Sequence, residues 1–308
     1  MTTDIAARQI ETTGDALIQI RRARQSLLVF ACFLVPLSLF GYWFNVKLGN
    51  FLPILPSLPL ALAPGLASVF TRLLRHEGFA DVSFRLRGPG LRSAYLLAYV
   101  FPLVVGAAAY GFAYLFGLAK FDPPPFPIEV SSPLGQLVAI LVFSGTVGIL
   151  LVLLSNSSEE IGWRGYLLPR MIDARIPQPI LFSSLIWGVW HLPVLFAGVY
   201  AVGPSRLLAA AGLVVSALAA GAILSWLRLS TGSVWPCILL HAAWNSMING
   251  GFTFATQNAA SNFWIGEQGV LVAVTLVMAA LFLKRVWKPF RLSNEEEIVY
   301  KISSAPTR

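Results

Sequence analysis

The fold is decided by residues 135–156, GQLVAILVFSGTVGILLVLLSN, an uncharged apolar run that continues into EEIGWR at residues 159–164. A helix needs about 20 apolar residues to cross the roughly 30 Å hydrocarbon core of a bilayer, and this run is long enough. The carboxylates and the guanidinium that follow are costly in lipid, at about 2.5–3.5 kcal/mol each near the bilayer centre. We therefore predict a membrane-spanning helix whose end carries functional side chains.

The rest of the chain repeats this pattern of apolar runs. It is 56% hydrophobic and only 12% charged, with a mean hydropathy of +0.72, which is typical of a polytopic membrane protein. We predict an all-α membrane helix bundle of about eight transmembrane helices, forming one integral-membrane domain over residues 1–308. The predicted spans lie near residues 26–45, 52–72, 94–117, 135–156, 179–200, 205–227, 233–250 and 267–286.

The net charge of +8 is spread over several short loops, so we expect no nucleic-acid partner. When the predicted spans alternate across the bilayer, all but three of the basic residues fall on one side, and the exceptions are Lys47, Lys120 and Arg206. Basic residues concentrate in cytoplasmic loops of multi-pass proteins. We therefore predict a multi-pass protein of the cell membrane with a cytoplasmic N-terminal segment at 1–25 and a cytoplasmic tail at 288–308. The N-terminal segment would be either a short interfacial helix or a frayed end.

Helical spacing divides the roles of the charged residues that follow the fourth span. Glu160 and Arg164 are four residues apart on one face, the spacing of an acid–base pair. The adjacent Glu159 is rotated by about 100° and cannot share that role. It is free to point into a cavity as a general base. The alternative is a juxtamembrane salt bridge beside a solvated glutamate.

Two further polar pairs fall inside predicted spans. His191 follows Trp187 by four residues, and His241 precedes Asn245 by four. A lone histidine in such a span is more often a packing residue. Together with Glu159, however, these groups are the parts needed to activate water and stabilise an oxyanion. Glu159, His191 and His241 could equally hold Zn²⁺ with water in an open position, and the sequence leaves both mechanisms open.

The order E-E-x-x-x-R, aromatic-x-x-x-H and H-x-x-x-N on successive apolar segments resembles the motifs of the CAAX prenyl endopeptidase and bacteriocin-processing (CPBP, Abi) family. The resemblance covers about residues 134–250, which would be the catalytic core. It implies an eight-helix intramembrane endopeptidase whose cavity is reached from the cytoplasmic side. Its partners would be the lipid bilayer and a peptide or protein substrate, with or without an attached lipid. Trp187 stands where phenylalanine is commoner, and we interpret it as a packing residue.

The resemblance also implies residue roles. The Glu160–Arg164 pair would hold the first motif in shape. Glu159 with His191 would activate the water, and His241 with Asn245 would stabilise the oxyanion. Members of the family are usually classed as metalloproteases, although a metal-free glutamate mechanism is also argued, so Zn²⁺ is the one cofactor to consider.

Two other functions are alternatives. One is a transporter or channel whose buried glutamate and histidines relay protons or bind an ion, although the polar clusters are biased toward one side. The other is a non-catalytic relative that acts as an immunity or scaffolding partner.

Overall fold

The computed structural model describes residues 2–48, 57–128, 130–198, 205–256 and 263–286, with side chains in the first of these ranges from residue 15 to 47. Within these ranges the chain is helical, and the only β-type pairing is an isolated antiparallel bridge between Phe121 and Thr256. The all-α prediction is confirmed. The predicted tail at 288–308 lies outside the described residues.

Eight long helical segments follow one another in the described ranges, and each overlaps one of the predicted spans. Five of them are long and apolar enough to cross a membrane, judged by length and composition: α1 (from Asp15), α3, α4, α5 and α6. The count of eight spans and the cytoplasmic termini stay predictions. The segments are α1 Thr2–Leu48, α2 Leu58–Arg75, α3 Leu91–Leu115, α4 Pro133–Asp173, α5 Pro179–Phe196, α6 Arg206–Thr231, α7 Trp235–Trp244 with a π-helical continuation Asn245–Thr253, and α8 Val270–Val286.

The N-terminal segment does not form a separate short helix. It is the beginning of α1, which runs without a break from Thr2 to Leu48. The reason is local, because the first proline is Pro36 and the residues before it are mostly good helix formers. The cytoplasmic position of residues 1–25 stays a prediction.

Helix α4 continues to Asp173, well beyond the predicted end of its span, and passes through Pro169. Proline lacks the amide that would bond the Gly165 carbonyl one turn earlier. Here the buried Arg72 guanidinium of α2 donates to that carbonyl instead, at 2.9 Å, and Arg228 of α6 donates to the carbonyl of Arg164 at 3.1 Å. The π-helical turn Trp163–Leu167 is thereby satisfied from two neighbouring helices.

Small residues bring α2 close to the part of α4 that carries the glutamates. A Cβ atom on Gly162 would overlap Pro64, and one on Gly65 would overlap Ser158. Close approach through small residues is the usual way helices pack in membranes. Buried apolar side chains form one large cluster, which includes Phe30, and three smaller ones.

The C-terminal ends of α2, α4 and α6 meet at the connection that follows α2. Arg72 pairs with Asp81, Arg170 also pairs with Asp81 at 2.9 Å, and Arg228 donates to the Asp81 carbonyl at 2.6 Å. Three elements that the charge pattern places on one side of the membrane are therefore physically joined.

Candidate active site

Helix α4 holds both glutamates of the first motif in the protein interior. Glu159 is 6% exposed and Glu160 is 0% exposed, so the alternative of a solvated second glutamate is wrong. The predicted ion pair forms, with Arg164 Nη1 donating to Glu160 Oε1 at 2.8 Å. Glu159 points elsewhere, as the helical spacing indicates, and lines a cavity.

Glu160 also contacts the third motif, which the sequence did not indicate. Nδ1 of His241 lies 2.9 Å from the same Oε1 atom that accepts from Arg164. A carboxylate only accepts, so Nδ1 carries the proton and Nε2 is the nitrogen left for chemistry. Glu160 therefore orients the His241 ring in addition to pairing with Arg164.

Trp187 does more than pack. Its indole Nε1 donates to Glu159 Oε2 at 3.1 Å, and the Arg164 guanidinium stacks over its ring at 4.5 Å from the centroid. Phenylalanine at this position would keep the ring but could not donate to Glu159. The interpretation of Trp187 as a packing residue is therefore incomplete, because this side chain contacts the proposed base directly.

His191 is oriented by the break between the two halves of α5. Its backbone amide bonds Gly188 O at 3.2 Å, three residues back, which leaves the Trp187 carbonyl without its usual amide donor. The imidazole Nδ1 donates to that carbonyl instead, at 2.8 Å. Because a carbonyl only accepts, Nε2 of His191 keeps its lone pair.

Asn156 is a polar residue of the site that the sequence reasoning missed. Its Oδ1 accepts from Asn245 Nδ2 at 2.9 Å, and its own Nδ2 is buried without a hydrogen-bond partner among the described residues. Burying a hydrogen-bond donor without a partner costs free energy, so such a group in a folded protein usually has a structural or functional explanation. The available signal was spacing, since Asn156 precedes Glu159 by three residues and Glu160 by four, and so lies one helical turn before both of them.

The four proposed catalytic side chains, Glu159, His191, His241 and Asn245, line a single cavity of about 650 Å³. The lining extends to Asn45 near the end of α1, at the end of the bundle away from Arg72 and Arg228. Access from the cytoplasmic side, which the family resemblance implies, stays a prediction.

The donor set as placed does not fit a three-ligand zinc site. Among the residues that the structure describes, no three His, Cys, Asp or Glu side chains are arranged to hold a metal ion. Nδ1 of each histidine is engaged, by the Trp187 carbonyl for His191 and by Glu160 for His241, so only the Nε2 atoms remain as ring ligands. Zinc ligation by Glu159, His191 and His241 stays a prediction.

Comparison with known proteins agrees with the motifs. Residues 133–247 match a family model described as type II CAAX prenyl endopeptidase Rce1-like, which includes every motif residue from Glu159 to Asn245. CAAX prenyl protease 2 of Methanococcus maripaludis is 29% identical over 170 residues, which cover 51% of this chain and 59% of that protein. The chain thus matches less than two thirds of that relative's length. The motif-bearing part of this integral, multi-pass membrane protein is therefore similar to type II CAAX prenyl endopeptidases.

Proposed function

We propose that this protein is an intramembrane endopeptidase that hydrolyses a peptide bond with a water molecule activated by Glu159. The observation that carries the proposal is the convergence of Glu159, His191, His241 and Asn245, from three helices, on one cavity. A base, an orienting imidazole and hydrogen-bond donors around a space large enough for a peptide are the parts that acyl-transfer chemistry requires.

In the first step, Glu159 removes a proton from the water as its oxygen attacks the carbonyl carbon of the peptide bond. The hydrogen bond from Trp187 to Oε2 fixes the carboxylate, so that Oε1 is the atom that takes the proton. Nε2 of His191 accepts the second hydrogen of the water and orients it. The carbonyl electron pair moves onto the oxygen to give a tetrahedral oxyanion.

The oxyanion is then stabilised by hydrogen-bond donors that line the cavity. Nδ2 of Asn156 is the unpaired donor, and Asn245 holds the Asn156 side chain in place. An imidazolium at His241 would be stabilised by Glu160 and would donate through Nε2. As the C–N bond breaks, Glu159 returns its proton to the leaving amine, and the products are a new carboxyl end and a new amino end.

The substrate we propose is a membrane-held peptide or protein segment, cleaved near the cytoplasmic face. The family model and the archaeal relative are named for prenyl endopeptidases, so a CAAX peptide with and without a farnesyl group is the first substrate pair to test. Faster cleavage of the farnesylated member would show that the lipid is recognised. Equal rates would show that only the peptide is recognised.

The test is cleavage of a random-sequence peptide library by purified protein in lipid vesicles, read by mass spectrometry. We expect new peptide ends with the wild type and at least about a hundredfold fewer with Glu159→Gln, which keeps the shape of the side chain but removes the base. Asp122→Asn is the matched control, because Asp122 is exposed and does not line the cavity. If folded Glu159→Gln cleaved peptides as fast as the wild type, Glu159 would not be the base that activates the water.

Two additional arms separate the alternatives. Treatment with a zinc chelator should leave the activity unchanged, whereas a loss that is restored by Zn²⁺ would establish the metal mechanism instead. A folded wild type that cleaves no peptide, while Glu159→Gln still complements a deletion strain, would favour the scaffolding alternative.

A further inference from the structure

A second carboxylate lines the same cavity and belongs to none of the three motifs. Glu267 lies in the segment just before α8, is half-buried, and accepts a hydrogen bond from Trp244 Nε1 at 2.9 Å through Oε1. In the described part of the chain, no lysine, arginine or histidine forms an ion pair with it. A carboxylate that is partly withdrawn from water and has no cationic partner favours the binding of a positive charge.

The backbone around Glu267 is held in place. The amide of Gly266 donates to the Tyr110 hydroxyl at 3.1 Å, and the neighbouring Ile265 is 1% exposed. A Cβ atom on Gly212 of α6 would overlap the carbonyl oxygen of Gln268, so α6 packs directly against this backbone. Glu267 is therefore presented from a fixed segment, which lowers the entropic cost of binding a partner.

Glu267 is also close to the proposed reaction centre. Its partner Trp244 follows His241 by three residues on α7, a separation of about one helical turn, or roughly 5 Å along the axis. An extended peptide advances about 3.3 Å per residue. A substrate side chain within a few positions of the cleaved bond can therefore reach Glu267.

The charged residues that line the whole cavity also favour a basic substrate side chain. The described lining contains two carboxylates, those of Glu159 and Glu267, and no lysine or arginine. An acidic side chain of a substrate would meet no lysine or arginine there, and its burial beside two carboxylates would be costly. A basic side chain could form an ion pair with Glu267.

We propose that Glu267 is a specificity residue that binds a lysine or arginine side chain of the peptide substrate, within a few positions of the cleaved bond. This inference rests on the proposed endopeptidase function, because it names a feature of that enzyme's substrate. Glu267 takes no part in the bond-breaking steps, so its removal should change which peptides are cleaved rather than whether cleavage occurs.

The test compares the aligned cleavage sites of the random peptide library for wild type, Glu267→Gln and Glu267→Lys. We expect Lys and Arg to be enriched at one position with the wild type, and the enrichment to fall about tenfold with Glu267→Gln, the loss expected for one charge-assisted hydrogen bond. Glu267→Lys should shift the preference at that position toward Asp and Glu. Asp122→Asn again controls for a change in net charge.

Binding measurements keep this inference separate from the catalytic one. Glu159→Gln is expected to bind peptides without cleaving them, so the library peptides that it retains can be identified directly. Basic peptides should be enriched by Glu159→Gln and not by the Glu159→Gln/Glu267→Gln double variant, even if no cleavage is ever seen. An unchanged preference for basic peptides in the double variant, or no preference in the wild type, would overturn the role of Glu267.

Discussion

Arg164 connects the residues that hold the proposed base, Glu159, with those that hold the proposed oxyanion donor, His241. It pairs with Glu160, which orients His241, and it stacks on Trp187, which orients Glu159. A guanidinium suits this position because it can donate in its plane and stack through its face at the same time, whereas an ammonium group cannot. The arginine of the first motif therefore helps to orient both the proposed base, Glu159, and the proposed oxyanion donor, His241.

The first prediction concerns the indole hydrogen bond. Trp187→Phe keeps an aromatic ring for Arg164 to stack on but removes the donor to Glu159, so we expect kcat/KM to fall about tenfold, the equivalent of roughly 1.5 kcal/mol. Because Trp187 is buried, the smaller ring should also lower thermal stability, so the rate is measured at a temperature where the variant stays folded. The measurement is the cleavage rate of one library peptide, and an unchanged rate would mean that the carboxylate is held without the indole.

The second prediction concerns the missed asparagine. Asn156→Ala should lower kcat by about a hundredfold, because the unpaired Nδ2 is the proposed oxyanion donor. The loss should appear in kcat and leave KM nearly unchanged, since the interaction forms in the transition state. Thermal unfolding provides the control, because a drop in activity that follows unfolding would assign Asn156 a structural role instead.

At the scale of elements, π-helical turns place the motif residues. The turn Trp163–Leu167 contains Arg164, the last residue of the first motif, and the turn Asn245–Thr253 begins at the last residue of the third motif. Such turns concentrate at functional sites because they redirect side chains and leave backbone groups to be satisfied from elsewhere. In the first turn, Arg72 and Arg228 supply the missing donors.

The third prediction tests the contact between α2 and α4. Gly162→Ala would push its Cβ to 2.5 Å from the Pro64 carbonyl carbon, so we expect a loss of about 1–3 kcal/mol in stability and a displaced Glu159. Gly111→Ala is the matched control, because nothing lies within 4 Å of that Cβ position. It should be neutral or stabilising by up to about 1 kcal/mol. Equal melting temperatures for the two variants would contradict the close packing.

At the scale of the whole molecule, the C-terminal ends of α2, α4 and α6 each bring an arginine to Asp81, at one end of the bundle. The positive-inside pattern assigns that end to the cytoplasm. The cavity lining reaches from the motif residues toward the other end, at Asn45. The route by which a substrate enters therefore depends on the orientation of the bundle, which can be measured.

The fourth prediction is this orientation. Arg87 and Lys120 are both exposed and lie on either side of α3, which is about 37 Å long. In a variant without Cys32 and Cys237, a membrane-impermeant thiol reagent applied to intact cells should label Lys120→Cys but not Arg87→Cys. The reverse pattern would show that the bundle is inverted.

Much of the fold and part of the site could be predicted from local sequence. Long apolar runs predict helices because a backbone in lipid must satisfy its own hydrogen bonds, and the four-residue spacing of Glu160 and Arg164 predicts their ion pair. The continuation of α4 through Pro169 could not be predicted, because the donors that replace the missing amide come from Arg72 and Arg228, distant in sequence.

By itself, the sequence determined the helical class, the membrane setting and the identity of the motif residues, since these follow from hydropathy and spacing along one helix. Only the tertiary structure decided which partners those residues meet: Glu160 with His241, Trp187 with Glu159, and Asn156 with Asn245. It also brought Glu267, from outside the motifs, to the wall of the same cavity. The physical reason is that a hydrogen bond between helices depends on their packing and rotation, which no spacing within a single helix specifies.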